Sequence, residues 1–132
     1  MNAASFDIKD MLEDSSAGLG LVYETNLWIS KEPAEPDNCV TVYDTPTLAP
    51  ERTLSNNEWY YYSSVQVRIR HNDYTTGMVL ARNIMDSLHD RVNTTWNGTL
   101  YTVVQATGEP VPMVRDDNDR TIIIINFNLQ RR

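Results

Sequence analysis

The chain has 132 residues, 41% of them hydrophobic and 22% charged, the composition of one globular domain spanning 1–132. Eleven Lys and Arg against eighteen Asp and Glu leave a formal charge of −7, which excludes a basic footprint for duplex DNA and argues against docking on anionic membranes. The single cysteine, Cys39, excludes an internal disulfide framework and a cysteine-based zinc cage.

The first fourteen residues, MNAASFDIKDMLED, are acidic and lack a continuous apolar core, so they do not read as a secretory signal. Folding in a reducing cytoplasm is the expectation. A short helix is predicted over 5–15, with Ser5 as its N-cap and Phe6, Ile8, Met11 and Leu12 as a partial apolar stripe ended by Gly18 and Gly20. Residues 20–31 read as two short extended pieces, and Pro33, Pro36 and Asp37 make a turn-rich link. Cys39–Tyr43 is predicted as a strand. The polar stretch 44–58, with two prolines and an Asn-Asn pair, is long for a connection and has the character of a binding loop.

Trp59–His71 is the clearest strand, because Val65, Val67 and Ile69 alternate with Gln66, Arg68 and Arg70. A helix is predicted over about Asp73–Val92, with Leu80, Ala81, Ile84, Met85, Leu88 and Val92 on one face. Asn97-Gly98 signals a tight turn. Three antiparallel strands follow, Thr99–Thr107, Val111–Arg115 and Arg120–Arg131, with turns at 108–110 and 116–119. The reading is α-β-β-β-α-β-β-β: an α+β fold, a mainly antiparallel β-sheet with two α-helices packed on one face.

Several groups invite a functional reading. On the last strand Ile123, Ile125, Phe127 and Leu129 form one apolar face, yet Ile122 and Ile124 make the start of the other face apolar too. Either another segment of the same subunit covers that second face, or a neighbouring copy does. Trp59, Tyr60, Tyr61 and Tyr62 cluster four aromatics of the type that anchors interfaces. Strand arginines usually pair with carboxylates. Arg68, Arg70 and Arg120 find theirs within the subunit on the favoured reading, or across a subunit boundary. Candidate interface residues are therefore Trp59, Tyr60, Tyr61, Tyr62, Arg68, Arg70, Ile122 and Ile124.

The run Arg115–Arg120 lacks the central Gly and closing Glu of a calcium loop and reads as a charged hairpin turn. His71 and His89 are not at metal-ligand spacing, and nothing local supports a Cys39–His71 nucleophile pair. There is no phosphate loop, nucleophile elbow or HExxH motif. No catalytic residue, metal or cofactor is assigned.

The blocks Pro36-Asp37-Asn38-Cys39-Val40-Thr41-Val42-Tyr43-Asp44-Thr45 and Val65-Gln66-Val67-Arg68-Ile69-Arg70-His71-Asn72-Asp73-Tyr74 stand in a distinctive order. A helix with Ala81 and Leu88 follows, then Asp119-Arg120 and an Asn126-Phe127 strand. Over about 5–130 this arrangement resembles the minor capsid or tail terminator proteins of phages with long non-contractile tails. The resemblance implies a non-enzymatic virion protein, assembled in the host cytoplasm as a six-membered ring on the head-proximal end of the tail tube. Its implied partners are its own copies, the tail tube protein and head-completion or connector proteins, with genome DNA passing through unbound. Such a ring needs a heterologous side contact that closes by rotation, and two unlike axial faces. The aromatic cluster and last strand are then side contacts. Thr47, Leu48, Glu51 and Arg52 in the long loop, with Asp116, Asp117 and Asp119 in the charged turn, are candidate tube or connector contacts. The alternatives are another neck component, a small enzyme using Cys39 or His71, and a nucleic-acid module using Arg68, Arg70 and the aromatics.

Overall fold

The computed structural model describes residues 1–55 and 57–132. Helix α1 (Ala4–Glu13) buries Ala4, Ile8, Met11 and Leu12. Ser5 is not its N-cap. It lies inside the first turn, where its N–H and hydroxyl donate to the two oxygens of Asp44 at 3.0 and 2.7 Å. A carboxylate from a distant strand thus satisfies the helix start, where the dipole favours negative charge. Only one of the two extended pieces in 20–31 becomes a strand, β1 (Leu27–Ile29), because Thr25 and Asn26 both donate to the Val22 carbonyl and fold the rest into a turn.

β2 (Cys39–Thr45) and β4 (Trp59–His71) are antiparallel, and β4 pairs over eleven positions with β8 (Thr121–Arg131), from Tyr61↔Arg131 to His71↔Thr121. Period-two alternation puts Val40, Val42, Val65, Val67, Ile69, Ile123, Ile125, Phe127 and Leu129 on one inner face, where they join both helices in a single core. Between β2 and β4 the long loop contains a two-residue strand, β3 (Glu51–Arg52), which forms a hairpin with Trp59 and Tyr60. Asn56, one of the Asn-Asn pair in that loop, lies outside the described residues.

Helix α2 (Tyr74–Leu88) is capped by Asp73, whose carboxylate accepts from the Thr76 N–H and hydroxyl. Gly77 lets it approach the sheet, since a Cβ there would meet His71 Cβ at 2.9 Å and Ile123 Cδ1 at 3.1 Å. The helix ends before the predicted Val92. His89 is extended, Asp90 takes φ 59, and β5 (Arg91–Trp96) begins, leaving Val92 55% exposed. Val92 keeps helical spacing with Leu88, but the run Val-Asn-Thr-Thr-Trp has strand propensity and leads into a primed turn at Asn97-Gly98, both at positive φ.

β6 (Thr99–Ala106) and β7 (Val111–Arg115) hold a further correction. Gly108-Glu109-Pro110 does not reverse the chain. β6 pairs with residues 127–131 of β8 and β7 with residues 121–124, so both run the same way along one side of β8. Of these two predicted turns, 116–120 alone forms a hairpin, closed by Asp116 N–H to the Arg120 carbonyl at 2.9 Å. The sheet order is β1-β2-β4-β8-β6-β5, with β3 beside β4 and β7 beside β8. Apart from the parallel β1–β2 pair it is antiparallel. The fold is α+β with the sheet dominating. The sequence missed β3 and β5.

The two chain ends meet in a buried polar knot. Asp7, fully buried, accepts from the Tyr101 hydroxyl and from Asn97 Nδ2 (2.7 Å). Arg131 lies 3.9 Å from that carboxylate and donates to the Tyr101 hydroxyl at 3.3 Å and the Asn2 carbonyl at 2.7 Å. Burial, then the Asp7 carboxylate, push the Tyr101 phenol far above its ordinary range.

Candidate subunit and tube interface

The outer face of the sheet carries Tyr60, Tyr62, Arg68, Arg70, Ile122 and Ile124, whereas Trp59 and Tyr61 have the strand parity of Val65 and Val67, and the chain treats the two ends of the outer face differently. At one end Arg70, 4% exposed, donates to four carbonyls of the proline-rich link: Pro33 (2.6 Å), Ala34 (3.3 Å), Pro36 (2.6 Å) and Asp37 (3.2 Å). Arg120 adds a bond to the Ala34 carbonyl at 2.8 Å and pairs with Asp116 at 2.7 Å and Asp37 at 3.3 Å. The link is thus bound as an arch over the outer face. Prolines leave unopposed carbonyls, and a buried guanidinium supplies five donors to meet them. Ile122 is 2% exposed beside this arch and Ile124 is half-buried. Arg70 and Ile122 consequently present almost no surface to a neighbouring copy. Arg68 pairs with Glu32 at 3.2 Å and stays part-exposed.

Further along, the outer face is a polar ladder. Ser64 donates to Asn128 at 2.9 Å and Gln66 to Asn126 at 3.2 Å. Beyond it lies the aromatic cluster, with its rings held by charged neighbours. Arg52 lies over Trp59 at 5.8 Å and Arg132 over Tyr60 at 5.7 Å. Tyr60 donates to Glu58 at 3.2 Å and Tyr62 to Glu51 at 3.1 Å, and the hydrogen bond to Glu51 raises the Tyr62 phenol. Trp59 remains 46% exposed. Thr47 donates to the Tyr62 carbonyl, which tethers the loop beside a cleft of about 390 Å³, while Leu48 on its rim is 74% exposed.

In the 116–119 turn, Asp116 accepts from the Asn118 and Arg120 N–H groups at 3.0 and 2.9 Å. Desolvation pushes its carboxyl up, but these bonds and the Arg120 guanidinium outweigh it and hold the group below the usual carboxylate range. Asp119 pairs with Arg115 at 3.0 Å, and Asp117 and Asp119 are exposed.

Sequence reasoning predicted β7 as a strand but did not single it out as a candidate interface. All five of its residues are exposed, with Val111 at 53%, Met113 at 59% and Val114 at 64%. Among the described residues β7 pairs on one side only, with β8. The available signal was the run Val-Pro-Met-Val. A proline is confined to sheet edges, and the apolar residues around it do not alternate with polar ones.

Cys39 and His71 line one small cavity of about 180 Å³. Burial pushes the Cys39 thiol up, opposite to what a nucleophile needs, and His71 Nδ1 accepts from the Asp73 N–H at 3.0 Å.

This fold is shared with a chain from the solved virion of a native gene transfer agent particle. The two match with a TM-score of 0.65 at 11% identity, covering 98% of this chain and 94% of the other. A second solved structure matches at a TM-score of 0.51 and 15% identity, over 96% of this chain and 91% of its own. No curated protein is significantly similar. A family model described as bacteriophage tail terminator protein matches residues 10–132. The chain is a phage tail structural protein. It belongs to the bacteriophage tail terminator family.

Proposed function

We propose that this chain caps the head-proximal end of the tail tube as a six-membered ring, stops tube growth and offers the surface on which head-completion proteins dock. One observation carries the reading: β7 is a bare, apolar sheet edge, with Val111, Met113 and Val114 all more than half exposed. Soluble monomers cover or charge such edges, because unpaired N–H and C=O groups beside apolar side chains template further pairing. A neighbouring copy meeting β7 side to side supplies a heterologous contact, and rotation closes it into a ring. Trp59 and Arg68 extend the side contact. The Thr47–Arg52 segment and the exposed Asp117 and Asp119 project to tube and connector.

The chemistry is assembly without bond-making. The terminator binds the tube end and does not present the surface that recruits another tube ring, so growth stops for lack of a template. Six copies carry −42 formal charges, which repel phosphate and let genome DNA pass without binding.

Disrupting the gene tests the role. The expected outcome is tails of irregular length that fail to join heads; normal infectious virions would overturn it. Labelled protein should appear on isolated tails before head joining. A label found only on heads would instead identify another neck component.

A further inference from the structure

The chain has two histidines, and they stand at the two ends of α2. His71 closes β4 just before the helix, and His89 is the helix C-cap. Each ring accepts a backbone N–H through Nδ1: His71 from Asp73 and His89 from Ala106, both at 3.0 Å. These are amides that the regular structure leaves over. Asp73 is the N-cap of α2, and the reciprocal bond to an N-cap N–H ordinarily comes from a Glu or Gln at the third helical position, which here is Thr76. His71 takes that place. β5 begins at Arg91, opposite Val104, so among the described residues no β5 residue faces Ala106. His89 fills that gap. An imidazole nitrogen accepts only while it carries no proton, so both joints need the neutral ring with its hydrogen on Nε2.

A protonated ring sets N–H against N–H at each joint, and a carboxylate stands nearby as another partner for it. Asp90 Oδ2 lies 3.4 Å from His89 Nε2, and Asp73 carries its carboxylate two residues from His71. Around His71, β8 offers the uncharged Thr121 and Ile123, Cys39 lines the same cavity, and Arg70 and Arg120 are bound to the proline-rich arch. Around His89, β6 carries no charged residue. Asp86 lies on the same helix, Arg91 donates to the Ser87 carbonyl at 3.1 Å, and Glu109 pairs with Arg82 at 3.6 Å.

We infer that α2 is held between two acid-labile joints, which stay closed while both imidazoles are neutral and open when they protonate. Protonation turns Nδ1 from acceptor into donor, strands the Asp73 and Ala106 amides, and loosens the start and the end of α2 together. The inference goes beyond the ring reading and does not depend on it.

The test is amide exchange on the full chain, with protection taken relative to the intrinsic rate at each pH. Between about pH 8 and pH 5, where histidine titrates, protection at Asp73 and Ala106 should fall. The loss should be about tenfold, the worth of one such hydrogen bond. Asn places Oδ1 where His has Nδ1 and does not titrate. His71→Asn should therefore abolish the fall at Asp73 and leave it at Ala106, and His89→Asn should do the reverse. Imidazole nitrogen shifts of the unsubstituted chain supply a readout that needs no variant, and at about pH 8 they should show the Nε2–H tautomer for both rings. A fall that persists at both amides in both variants would mean general acid loosening and overturn the inference. So would protection that is flat with pH in the unsubstituted chain, or a hydrogen on Nδ1 of either ring at the alkaline end.

Discussion

The two ends of the β4–β8 ladder use similar residues for opposite purposes. At the Arg70–Ile122 end, guanidinium groups bind the chain's own carbonyls and the outer face is closed by the 33–37 arch. At the Tyr62–Gln130 end the outer face opens onto a cleft and an exposed hairpin. A strand arginine or an outward isoleucine therefore says little about interfaces until the rest of the chain is placed. The arch absorbed one set of candidates, and the free surface moved to the β3–β4 hairpin and the β7 edge.

The comparison breaks most sharply at Arg70. Arg70→Ala leaves four carbonyls without their shared donor and should cost on the order of 3 kcal/mol, read from the urea midpoint. A loss within experimental error would mean that the arch stands without the arginine.

Tyr101→Phe tests the buried knot at the far end of β8. It deprives Asp7 of a hydroxyl donor and Arg131 of an acceptor, at an expected cost of about 1–2 kcal/mol in thermal or chemical unfolding. Met113→Glu on β7 should shift stability by no more than about 0.5 kcal/mol, because the side chain is exposed, yet should reduce ring assembly on tails. Unimpaired assembly would show that the β7 edge is not the side contact.

The smallest effect concerns pH. The Asp116 carboxyl is held below its unfolded value, so its contribution is present above that value, about 3.9, and is lost as pH falls through the depressed folded one. Protection of the Asn118 and Arg120 amides, taken relative to the intrinsic exchange rate at each pH, should fall over that acidic range, and this fall should be absent in Asp116→Asn. Unchanged protection would mean that the turn stands without the charge.

Legibility followed the range of the interactions. The inner faces of β4 and β8 were readable from alternation, and α2 from its helical spacing, because burial on one face imprints a period. The end of α2 was not, since Val92 satisfies the helical period and only the following turn tips it into β5. The path of β7 was hidden for a different reason. Gly108-Glu109-Pro110 has turn composition, but the pairing partner decided whether the chain reversed. Ser5 illustrates the same point, because its partner Asp44 lies 39 residues away.

The amino-acid sequence by itself determined the α+β class, the strand faces of the core, the charged 116–119 turn and the likeness to tail terminators. These rest on local periodicity, turn chemistry and residue order. Tertiary structure alone decided which outer-face residues are closed and which are open. The carbonyls that satisfy Arg70 and the strand that leaves β7 at an edge come from segments far apart in sequence, and hydrogen-bond satisfaction across such distances leaves no periodic trace in the chain.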